Sequence, residues 1–139
     1  MTAPPEQVAQ KVRQWMAFAE EDLLLARHGL GLAERAPLRL IAYHAQQCAE
    51  KYLKAFPVWR QVDFPYTHNI ALLLELVAMQ ANWADSLMAA ATLTPFAITA
   101  RYPGARNRSL SAWGRDPPCV TNLQEGLAPL PGISLSTAI

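Results

Sequence analysis

Tyr43-His44-Ala45-Gln46-Gln47-Cys48-Ala49-Glu50-Lys51-Tyr52-Leu53-Lys54-Ala55 is the stretch that decides the fold. Ala45, Cys48 and Tyr52, extended by Ile41, Phe56 and Trp59, recur every three or four residues. That period is a helix with one apolar stripe. Gln46, Glu50 and Lys54 fall on the far side. Glu50 and Lys54 are an i,i+4 pair in the favourable order, worth about 0.3–0.5 kcal/mol on a helix surface. Pro37 opens this second helix of the chain and Pro57 interrupts it. A mid-helix proline costs roughly 3 kcal/mol, so a kink or stop is expected near Phe56.

The same period extends outward in both directions. Before the quoted stretch, Val8, Val12, Trp15, Ala19, Leu23, Ala26 and Leu30 form a stripe that predicts a first helix over 5–29. Pro4-Pro5 suits its first turn, and Gly29 and Gly31 are stop signals. After it, Thr67 is read as the N-cap of a third helix from Asn69 to Met79. Its run Ile70-Ala-Leu-Leu-Leu-Glu-Leu-Val77 is apolar nearly all round and calls for a buried position. Asn82 and Asp85 start a fourth helix over about 83–93, and Thr94-Pro95 starts a short fifth one that ends near Arg101. The expected architecture is all-α: an up-down bundle of four to five helices over residues 5–104.

Beyond Gly104 the text changes. Four of the six glycines and four of the eleven prolines lie in 104–139, no lysine occurs there, and no helical or strand period persists. Residues 105–139 therefore read as an irregular tail in place of a last helix.

Composition narrows the classes of function. The chain of 139 residues is 52% hydrophobic and 17% charged, which suits one globular domain rather than a disordered chain. A net charge of +1 gives no global field for nucleic acid, so an RNA role needs a local patch. No apolar run approaches the roughly 20 residues of a membrane span, and the N-terminus lacks a signal-peptide pattern. The expected compartment is the cytoplasm, with no membrane association. Cys48 and Cys119 stand far apart with no histidine cluster between them, so no metal site and no cofactor are expected. Cys48 reads as a free, buried thiol.

Polar chemistry concentrates on the second helix. At about 100° per residue, His44 and Lys51 lie only about 20° apart and two turns along one face, with Gln47 between them. An imidazole, an amide and an ammonium in one row are the groups that would bind a phosphate or a base edge. The plainer alternative is a set of boundary side chains with packed stems and wet heads. Arg39 and His44 form an Arg-x4-His string, a spacing that some helical ribonucleases use. These two lie about 140° apart on one ideal helix, so they would not converge on one atom unless the helix began after Arg39 or a dimer mate completed the site. Glu20, Glu21 and Asp22 point in different directions and read as a solvated acidic face. His68 is taken to finish a helix start, and Arg101 to be either an ion pair or a helix C-cap. Gly-rich phosphate loops, Gly-x-Ser-x-Gly and His-Glu-x-x-His are all absent, and no catalytic residue is assigned.

In order and spacing, four segments resemble a HEPN domain, the helical domain named for higher eukaryotes and prokaryotes. They are Trp15-Met-Ala-Phe-Ala19-Glu-Glu-Asp22-Leu-Leu-Leu-Ala26, Tyr43 to Ala55, Phe64-Pro65-Tyr-Thr67-His68-Asn69, and Leu93-Thr94-Pro95-Phe-Ala97-Ile-Thr-Ala-Arg101-Tyr102-Pro103. The resemblance covers about residues 8–104. It implies a bundle of about five helices, commonly paired as a homodimer, that often works beside a minimal nucleotidyltransferase in a toxin–antitoxin-like pair. Some members are ribonucleases, but the subgroup resembled here is described as nucleotide-binding or as a partner subunit. The candidate nucleotide-binding residues are then His44, Gln47, Lys51, Lys54 and Arg101. A metal-independent ribonuclease using Arg39 and His44 is the alternative. Pro57 departs from the family pattern, and so does the tail, where such domains carry another amphipathic helix. A reading-frame shift near Gly104, or a degraded and non-functional gene copy, would explain the tail. It would be refuted if no downstream frame encoded an amphipathic helix.

Overall fold

The computed structural model describes residues 2–81, 91 and 94. Among them the chain forms three α-helices, one 3₁₀ turn and no strand: α1 (Pro5–Leu30), the turn Ala33–Arg35, α2 (Leu38–Arg60) and α3 (Ile70–Ala78). The expected fourth helix (apart from Ala91), the short helix to Arg101, Arg101 itself, Cys119 and the tail lie outside the described residues.

α1 and α2 run antiparallel. Gly29 meets Ile41, Asp22 meets His44 and Lys51, and Trp15 meets Lys54, so residue numbers fall on one helix as they rise on the other. α2 is central, packed by α1 on one side and by α3 on another. One apolar cluster joins all three through Val12, Ala19, Leu23, Ala45, Tyr52, Leu53, Ile70 and Leu74. Gly29 permits the close approach at one end of the hairpin. A Cβ there would stand 2.8 Å from Ile41 Cγ1, closer than packed carbon atoms sit.

The stripe on α2 is buried as expected at Ile41, Ala45, Cys48, Tyr52 and Phe56, with Trp59 partly covered. The far side is not solvated. Gln46, Glu50 and Lys54 are buried too, because a central helix meets a neighbour on more than one face. On α1 the buried position is Met16 rather than Trp15, whose ring lies at the core edge against Phe64.

Pro57 does not stop α2. It sits in the last turn, and the helix continues to Arg60. Gln61 then adopts the left-handed conformation (φ 55°). The Val62 N–H donates to Pro57 O and the Gln61 N–H to Val58 O. These are the two bonds of a Schellman ending, which use the carbonyls that a helix terminus leaves orphaned. The α1 ending differs from expectation in a similar way. Gly29 lies within the helix, Gly31 is right-handed, and Ala33 (φ 52°) takes the left-handed position in the link.

α3 is capped by Asn69, not Thr67: Asn69 Oδ1 accepts from the Leu72 N–H at 3.3 Å. Thr67 Oγ1 accepts from the Asn69 N–H one step earlier. Thr94, read as the cap of its own helix, accepts from the Ile70 N–H at 3.1 Å. Three side-chain oxygens thus satisfy the donors at one short helix start.

Candidate functional site

The row on α2 is built on a carboxylate from α1. Asp22 is 12% exposed; its Oδ1 lies 2.8 Å from His44 Nδ1 and its Oδ2 accepts from Lys51 Nζ. A carboxylate facing Nδ1 selects the tautomer that carries its proton there, which leaves Nε2 facing outward. The Tyr43 ring stands edge-on to the imidazole, 5.2 Å between centroids. The His44 and Lys51 side chains remain 25% and 24% exposed, so the row is half-open to solvent. Asp22 cancels the Lys51 charge, so an anion would be held here by directed hydrogen bonds more than by a long-range field.

Behind the row lies a second, buried network. Lys54 Nζ donates to Glu50 Oε1 at 2.7 Å, Gln46 Nε2 to Glu50 Oε2 at 2.8 Å, and His68 Nδ1 sits 3.0–3.1 Å from both oxygens. Burial alone would push the Glu50 carboxyl up, but the bonds from Lys54, His68 and Gln46, with the Lys54 charge, hold it below its usual value. The Lys54 ammonium is also flanked by the Trp15 and Tyr66 rings, 5.9 and 5.8 Å from their centroids. Gln47, on the same face of α2 as His44 and Lys51, is tied to this buried network: its Nε2 donates to Gln46 Oε1 at 2.7 Å.

His44, Gln47 and Lys51 therefore come together as the sequence reading expects. Lys54 does not join them, because it is enclosed with Glu50. Arg39 stands on the exposed side at the start of the same unbroken helix, about 140° from His44. An open cleft of about 350 Å³ at the far end of α2, lined by Lys11, Val58, Gln61 and Asp63 among others, includes none of the row.

Asp22, Gln46, Glu50 and His68 are the bonded neighbours of the row and of Lys54 that sequence reasoning missed. Asp22 had a readable signal: it lies three residues after Ala19 and four before Ala26, at a stripe position of α1. An acid on an apolar stripe asks for a partner across the interface.

Among the described residues, no group of three or more His, Cys, Asp or Glu could hold a metal, and no helix is long and apolar enough to cross a membrane. No curated protein and no solved structure matches the chain. A protein-family model, the HEPN domain, matches residues 12–116, most of the chain, and continues past Gly104. With the antiparallel α1–α2 hairpin and its polar row, that match means that the chain belongs to the HEPN domain family.

Proposed function

We propose that this chain is a HEPN binding and partner module that takes a nucleotide on the Asp22–His44–Gln47–Lys51 row. The observation that carries this reading is the shared carboxylate: Asp22 holds His44 and Lys51 side by side and leaves their remaining polar atoms to solvent. The module pairs with a second copy and acts beside a minimal nucleotidyltransferase in a toxin–antitoxin-like, cytoplasmic pair. Exposed Phe18 and Leu25, four residues before and three after Asp22, supply apolar surface for pairing beside the row. Arg101 belongs to the proposed nucleotide set; Lys54 contributes to it only by holding Glu50.

The test is nucleotide binding by calorimetry with wild type and Lys51→Met. A hydrogen bond to a charged group is worth about 1.5–3 kcal/mol, so the variant should bind roughly 10- to 100-fold more weakly. Undiminished binding by Lys51→Met would remove the row from the function.

Asp22 also favours a second reading, because a carboxylate on Nδ1 is how a general-base histidine is oriented. In that reading the protein is a metal-independent ribonuclease, and a partner copy supplies the Arg39 that its own helix turns away. RNA cleavage should then vanish in His44→Ala. Cleavage that persists in this variant rejects it.

A further inference from the structure

We propose that Gln47 is a specificity-determining residue that presents a hydrogen-bond acceptor, so that the row selects a nucleotide whose base carries an exocyclic amino group. This inference rests on the nucleotide-binding reading above and adds the chemistry of the base.

Gln46 Nε2 faces two groups, Glu50 Oε2 at 2.8 Å and the His68 backbone carbonyl at 3.4 Å. Both are acceptors only, because a carbonyl has no proton and the Glu50 carboxyl, paired with the Lys54 ammonium, is held below its usual value. The Gln46 amide therefore has one permitted orientation. Its Oε1 must point the other way, towards Gln47, and can only accept. Gln47 must then turn its own Nε2 inward, 2.7 Å from Gln46 Oε1. Among the described residues the Gln47 Oε1 has no hydrogen-bond partner, and no such side-chain atom among them is sealed from solvent. A buried carboxylate thus dictates, through two amides, the polarity of an atom on the surface.

His44 presents the same polarity one turn away. With its proton on Nδ1 facing Asp22, the ring offers a lone pair at Nε2. Residues three apart on a helix have Cβ atoms about 5–6 Å apart. A base's amino group carries two N–H bonds, one for each of two acceptors, each about 2.9 Å long from nitrogen to acceptor. A ring N–H supplies only one hydrogen. Lys51, one turn further on, remains the donor for phosphate. The row reads acceptor, acceptor, donor from His44 to Lys51.

The experiment is calorimetric titration of the full chain with ATP, GTP, CTP and UTP, with purine riboside 5′-triphosphate (ATP without its amino group) and with inorganic tripolyphosphate. UTP should bind weakest of the four, and purine riboside triphosphate about tenfold or more weaker than ATP, the factor for about 1.4 kcal/mol. In Gln47→Leu that ratio should fall severalfold, the His44 acceptor keeping the remainder, and tripolyphosphate reports the phosphate share of binding in both proteins. The wild-type ratio of ATP to purine riboside triphosphate decides the matter alone should the variant not fold. A ratio near one in wild type, or a ratio undiminished in Gln47→Leu, overturns the inference and leaves the binding reading standing. If no triphosphate binds, both fall.

Discussion

Lys54→Ala should lower the unfolding free energy by about 3–5 kcal/mol, the cost of stranding one partner of a buried ion pair. Both members are sealed in the core, at 5% exposure for Lys54 and 4% for Glu50. Domains of this size are stable by about 5–15 kcal/mol in all, so the single variant stands near the edge of folding. The pair itself is a different matter from its breakage. Replacing both residues together, Glu50→Leu with Lys54→Met, removes the uncompensated charge and should cost much less than Lys54→Ala alone. Denaturant melts of the three proteins measure this, and Lys54→Ala within about 1 kcal/mol of wild type would refute it.

The same network sets an acid limit. The Glu50 carboxyl is held below its usual value in the folded protein. The folded state therefore binds this proton less readily than the unfolded chain does. Its stabilisation is fully present above the ordinary glutamate range, about pH 4.3, and is lost as pH falls through the lowered folded value. Removing the Lys54 donor and its charge raises the folded value, so Lys54→Ala should acid-unfold at a higher pH than wild type. Circular dichroism against pH gives both midpoints, and coincident midpoints would contradict the assignment.

Leu74→Ala should cost about 2–5 kcal/mol. α3 has nine residues, fewer than the roughly 12–15 at which an isolated helix becomes marginally stable in water. It is held in place by burying Ile70, Leu73, Leu74 and Val77 in the common cluster, and Leu74 is fully enclosed. Truncating it removes transfer energy and leaves a cavity that a short, capped helix cannot collapse around freely. Glu75, the next residue, is exposed, so Glu75→Ala should stay within about 0.5 kcal/mol. Equal losses at 74 and 75 would mean that α3 is not anchored through this face.

The periodicity was enough to find three helices, to place Cys48 and Tyr52 in the core, and to bring His44, Gln47 and Lys51 into one row. These are properties of a single helix, whose 3.6-residue turn assigns every side chain an angle without reference to anything else. Helix ends were less legible, because Pro57, Thr67 and Gly31 are compatible with more than one capping pattern. A hydrogen bond donated by the Gln61 N–H, or accepted by the Asn69 or Thr94 side chain, chooses among them.

By itself, then, the sequence determined which residues form helices and which side of each is apolar. Tertiary structure alone decided that α2 lies between two neighbours, which turned an expected surface pair, Glu50 and Lys54, into a buried one. It also decided that Asp22 crosses from α1 to hold His44 and Lys51, and that Glu50 orients Gln46 and so Gln47. The physical reason is that burial and pairing depend on distances between segments far apart in the chain. Local spacing does not encode those distances; the packing of one helix against another does.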